Sequence, residues 1–201
     1  RGDRAAESAA ALRAQAQRFK EHLTVEQARL REQVEAASVT KTIHEATHLI
    51  AFNCGLQSRA HQYPFWLTEG LAASFETLDP NGAFGPDTPM EARDQEFAQV
   101  VREGRLVPAE AFIQMNSLAG ADADTARAMY AEAQALFKHM FRYERERLAQ
   151  YFRDIQREPA GAISPRRHGE MFQARFGRAD RIEREWLREV QRSILADAET
   201  D

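Results

Sequence analysis

The sequence predicts a mainly α-helical protein with little or no β-sheet, and three observations carry that expectation. Residues 4–37 are rich in Ala, Glu, Gln and Arg, with apolar residues three, four and seven apart. Later segments keep helical spacing and are divided by clusters of Pro, Gly, Asn and Asp. No convincing period-two alternation precedes Ser38, so no strand is expected there. At 201 residues, 43% hydrophobic and 29% charged, the chain is long enough for one sizeable core.

The opening segment, residues 1–37, reads as an N-terminal amphipathic helical extension. Leu12, Ala16, Phe19, Leu23, Leu30, Val34 and Ala37 form its stripe, and Thr24 with Gln27 has capping-box spacing that would divide it in two. The stripe either packs on the core or serves as a stalk or self-association surface, because its coiled-coil-like spacing is too short to decide.

A helix over 40–53 follows, capped by Ser38 or Thr40 and ended by Asn53 and Gly55. It holds His44, Glu45 and His48, an HExxH sequence. Four residues apart on a helix, the two histidines lie about 40° from eclipsed and about 6 Å apart along the axis, so both imidazoles can face one cation. Glu45, turned about 100° from His44, is poorly placed as a ligand and well placed to flank a metal-bound water, where a general base belongs. A catalytic zinc needs three protein ligands and an open position. The third donor is expected from the next helix, PFWLTEGLAASFETL, whose Trp66, Leu67, Leu71, Phe75 and Leu78 keep helical spacing. Glu69 is the candidate ligand, with Glu76 on nearly the same face as an outer partner.

Residues 79–89 read as a loop, 90–103 as a helix and Pro108 to Met115 as a short one. A helix over 124–142, capped by Asp122 or Asp124, holds Tyr130 and His139, the latter expected to be partly exposed. A charged helix over 143–158, a break at Pro159, Gly161 and Pro165, and helices over 166–176 and 178–196 complete the chain, with Trp186, Leu187 and Val190 docking the last. His61, between the two ligand helices, is the one remaining histidine expected within reach of substrate. Cys54, the sole cysteine, permits no internal disulfide and is expected to be a small buried side chain.

HExxH followed by a WLxEGLAxxFE-type helix resembles the gluzincin branch of zinc metallopeptidases, which includes thermolysin and the aminopeptidase N family. The longer runs TIHEATHLIAFNCGL and YPFWLTEGLAASFE are similar to an uncharacterised bacterial domain family usually grouped with these peptidases. Later segments, GRLVPAEAFI, MYAEAQALFKHMFRY and FQARFGRADRIEREWLREV, resemble its downstream helices, so the likeness spans residues 38–192. It implies a zincin-like helical core over 38–201, zinc held by His44, His48 and Glu69, Glu45 as base and acid, and Arg93 as a cleft residue. To Tyr130 it carries the role of the aminopeptidase tyrosine that donates to the oxyanion. One departure stands out: gluzincins place a mixed sheet before the HExxH helix, and none is expected here.

The expected function is zinc-dependent hydrolysis of a peptide or protein substrate. The alternative is a non-catalytic, metal-stabilised helical module that has lost substrate binding along with the sheet, and a helical interaction domain without metal stands third. A net charge of −4, with no basic stretch interleaved by aromatics, gives no ground for a nucleic-acid partner. No apolar run approaches the ~20 residues of a membrane span. The opening RGDRAAES has neither an initiator methionine nor a signal peptide, so the chain is expected to be part of a longer protein and its compartment stays open.

Overall fold

The computed structural model describes residues 2–198, which form eight α-helices and no strand. One isolated bridge joins His61 to Gly161. The mainly α expectation holds, and no described helix is long and apolar enough to cross a membrane.

α1 (Gly2–Asn53) runs 52 residues, about 78 Å at the α-helical rise. Neither Pro nor Gly falls between Asp3 and Asn53, so nothing interrupts its hydrogen-bond ladder. The expected division at Thr24 and the expected start at Ser38 or Thr40 do not occur. The hydroxyls of Thr24, Ser38 and Thr40 each donate to the carbonyl four residues back, the mid-helix arrangement and not a cap. The end comes as expected: Gly55 adopts φ 78° and the Gln57 N–H reaches the Ala51 carbonyl at 2.9 Å. The stripe does not pack on the core. Phe19, Leu23, Leu30 and Val34 are 44–64% exposed, because α1 packs on the rest of the chain through its later part, chiefly on α2. The side chains of Leu12 and Ala16 lie outside the described residues.

α2 (Phe65–Ala73) is the hub. Seven of its nine residues are buried, so it reads as apolar all round, as a fully enclosed helix should. α5 (Ala123–Tyr143) lies along it so closely that a Cβ built on Gly70 would sit 2.3 Å from the Ala133 carbonyl oxygen. Glycine is needed here for space. Around this pair stand α3 (Glu91–Arg102), α4 (Ala109–Phe112), α6 (Arg145–Ile155), α7 (Pro165–Phe176) and α8 (Ala179–Ala198). Trp66 of α2 stacks on Tyr151 of α6 at 6.0 Å and meets the edge of Phe172 of α7 at 5.8 Å. Trp186 docks α8 by stacking on Phe97 of α3 at 4.8 Å.

Three local expectations fail. The second helix stops at Ala73 rather than Leu78, because the N–H groups of Phe75 and Glu76 bond to carbonyls three residues back and tighten the chain into a turn. Leu78 is therefore left exposed. His139 is buried on the inner face of α5, its ring 4.9 Å from that of Tyr143. Cys54 lies exposed in the turn after α1. His61 meets the Glu158 carbonyl at 2.9 Å, tying together the two loops that share the bridge.

Candidate metal centre

Three donor atoms converge where α1 crosses α2. One turn of α1 supplies both histidines, and their Nε2 atoms lie 3.2 Å apart. The first turns of α2 bring Glu69, whose Oε2 is 3.2 Å from His44 Nε2 and 3.6 Å from His48 Nε2. Gly70, next in the chain, lets α2 settle closely against α5. Ligands 2.0–2.1 Å from a tetrahedral zinc lie about 3.3–3.4 Å from each other. A triangle of 3.2, 3.2 and 3.6 Å therefore has the size of one face of such a site. The donor set of two imidazoles and one carboxylate suits zinc as well.

Behind the triangle the histidine is held in place. His44 Nδ1 donates to Glu76 Oε1 at 2.9 Å, which fixes the tautomer and leaves Nε2 facing Glu69 and His48. Glu76 reaches this position from the tight turn after α2, not from a continued helix. The Arg93 guanidinium of α3 clamps Glu76 from the far side, with Nε at 3.0 Å and Nη2 at 2.9 Å from Oε2, and pairs with Glu96 through Nη1 at 2.9 Å. Arg93 thus acts on the centre through Glu76.

Glu45 projects from α1 into solvent beside the pair of histidines and takes no part in the triangle. Tyr130 of α5 also borders the site, its ring 6.0 Å from that of His44 and 5.4 Å from that of Phe65. Burial raises its hydroxyl pKa, and the carboxylates of Glu69 and Glu45 add to the rise. Glu45 is thus close enough for its charge to be felt across the site.

The donors also pair by charge. Burial disfavours a charge on His44, but Glu69 and Glu76 outweigh it and raise the imidazole to about 9. Burial likewise disfavours the Glu69 carboxylate, and the two histidines overcome this, holding it down to about 2. A proton here does what a bound cation would do, neutralising carboxylate charge between closely spaced donors.

His44, His48, Glu69, Glu45 and Tyr130 thus all border one site, with Glu76 and Arg93 directly behind it. Sequence gives no signal for Gly70 as a spacer, because a glycine inside an apolar helix is compatible with many roles. Searches of curated proteins and of solved structures find no match. A family model described as "Protein of unknown function (DUF1570)" matches residues 38–160. That match begins within α1, one residue past the amphipathic extension, and includes all seven residues above. The chain belongs to this family.

Proposed function

We propose that this chain is a zinc-dependent peptidase of gluzincin type. The observation that carries the reading is the donor triangle of His44, His48 and Glu69, matched in size to a tetrahedral zinc and flanked by an unengaged carboxylate, Glu45. Zinc, when bound, supplies a Lewis acid that polarises a scissile carbonyl and acidifies water. Glu45 accepts the proton of the attacking water and returns it to the leaving amine, so one carboxylate serves as base and then acid. Tyr130 directs its hydroxyl at the developing oxyanion, and its raised pKa keeps that hydroxyl protonated as a donor at neutral pH. Glu76, held by Arg93, orients His44.

The test pairs elemental analysis of the purified chain with a chelator-reversible cleavage assay on a mixed peptide library. Glu45→Gln should keep its zinc and lose about 10²–10⁴-fold in turnover. Cleavage that survives the substitution removes the assigned base.

One observation favours a second reading, a non-catalytic metal-stabilised module. Among the described residues no strand borders the site, so the usual edge that holds a substrate backbone is missing. Such a module would bind zinc as tightly, and Glu45→Gln would change nothing measurable.

A further inference from the structure

Next to the metal centre lies a cleft of about 910 Å³, walled by α5, the start of α3, the 76–90 turn and loop, and Thr40 of α1. Ligand sites typically run ~300–1,000 Å³, so this one is large enough for several residues of a bound chain. Three of its wall residues belong to the centre already described: Tyr130, beside His44, Glu76, bonded to His44 Nδ1, and Arg93, which clamps Glu76. Tyr130 is thus shared between the cleft and the surroundings of the metal centre.

Its charged lining is unevenly engaged. Glu76 is occupied by His44 and Arg93, Glu96 by Arg93, and Asp79 Oδ1 accepts from the Asn81 N–H at 3.0 Å. Arg93 spends its guanidinium on the two glutamates. Arg127 differs from all of these. It lines the same cleft from α5, one turn before Tyr130, it is exposed, and among the described residues it has no hydrogen-bond or ion-pair partner. Leu78 and Phe84, 68% and 43% exposed, add apolar surface to the lining of the same cleft. Arginine's planar fork matches a carboxylate in bidentate geometry.

We propose that this cleft binds the substrate chain through a carboxylate held by Arg127, with the neighbouring apolar side chain resting against Leu78 and Phe84. The carboxylate is that of an Asp or Glu side chain or the terminal carboxylate of the chain. The proposal rests on the peptidase reading above. A charge-assisted pair at such an open site is worth about tenfold in affinity.

Fluorescence anisotropy on the zinc-loaded Glu45→Gln chain tests it with three dye-labelled, Leu-containing hexapeptides. One carries Glu with an amidated terminus, one carries Gln with an amidated terminus, and one carries Gln with a free terminal carboxylate. The Glu or the free-terminus probe should bind about tenfold tighter than the neutral one, and which of them does identifies the source of the carboxylate. Arg127→Ala should erase that preference, and Arg127→Glu should invert it in favour of a Lys-containing probe. Equal binding of all three probes, or a preference that survives Arg127→Ala, overturns the assignment while leaving the peptidase reading intact if the wild type still cleaves the neutral peptide. Failure of every probe to bind or be cleaved overturns both.

Discussion

Gly70→Ala is the perturbation that most directly examines how Glu69 is positioned. The new Cβ would stand 2.3 Å from the Ala133 carbonyl oxygen and 2.8 Å from the Phe137 Cβ. The first of these neighbours is backbone and cannot swing aside. Restoring an ordinary contact of 3.4 Å requires α2 and α5 to part by about 1 Å. Overpacking of this kind costs ~1–3 kcal/mol, and the upper end applies against a rigid helix. Alanine recovers up to ~1 kcal/mol as a better helix former, leaving a net loss of about 2 kcal/mol. For a chain of this length that lowers Tm by roughly 4–8 °C. Glu69, the adjoining residue, would be carried off by a similar distance, several times the ~0.2 Å tolerance of a metal–ligand bond. Zinc affinity should therefore fall at least tenfold. Thermal unfolding of the metal-free chain and competition against a chelator measure the two effects. Gly169→Ala is the control: its Cβ would meet only the flexible Gln114 side chain, at 3.1 Å, and it should leave stability unchanged or slightly raised. If Gly70→Ala matches that control in both Tm and zinc affinity, the close approach of α2 to α5 does not position the ligand.

Two further outcomes follow from the same packing. Glu76→Ala removes the acceptor that orients His44 and strands the Arg93 guanidinium, so zinc affinity should fall about 10–100-fold by chelator competition. Glu132 of α5 is fully enclosed, with one oxygen unpartnered and the other accepting from the Val107 N–H at 3.3 Å. Burial raises it to about 8, against the Val107 bond and with help from Glu183. Its stabilising contribution is complete below the ordinary carboxylate range, near 4.5, and is lost as pH rises toward 8, because the unfolded chain ionises first. Wild-type stability should thus drop by on the order of a few kcal/mol across that window. Glu132→Gln should flatten the profile in urea unfolding, and an unchanged slope would mean that Glu132 is ionised in the folded chain.

Much of this arrangement is legible in the sequence because helical physics is local. The spacing of His44 and His48, the apolar run around Trp66 and the Asp122 cap on α5 each follow from a few neighbouring residues, and each stands where expected. What escaped has one local cause and several long-range ones. The unbroken course of α1 overrides a capping box at Thr24 because no helix breaker accompanies it. The early end of α2 reflects a turn selected by Glu76 reaching His44 and Arg93, a tertiary demand invisible in the spacing of Phe75 and Leu78. Nothing in an arginine-rich sequence distinguishes Arg127 from its many exposed counterparts, since only the cleft beside it gives it meaning. Burial of His139 and exposure of Cys54 likewise follow from which neighbours arrive, not from residue type.

X-ray absorption at the zinc edge, on the metal-loaded chain and on Glu69→Ala, reads the coordination directly. Zinc held by His44, His48 and Glu69 with one position open to solvent gives four nitrogen or oxygen neighbours at about 2.0–2.1 Å, two of them imidazole, and Glu69→Ala changes that shell or loses the ion. A chain that retains no zinc, or a spectrum untouched by Glu69→Ala, would mean that the carboxylate beside the two histidines holds no metal.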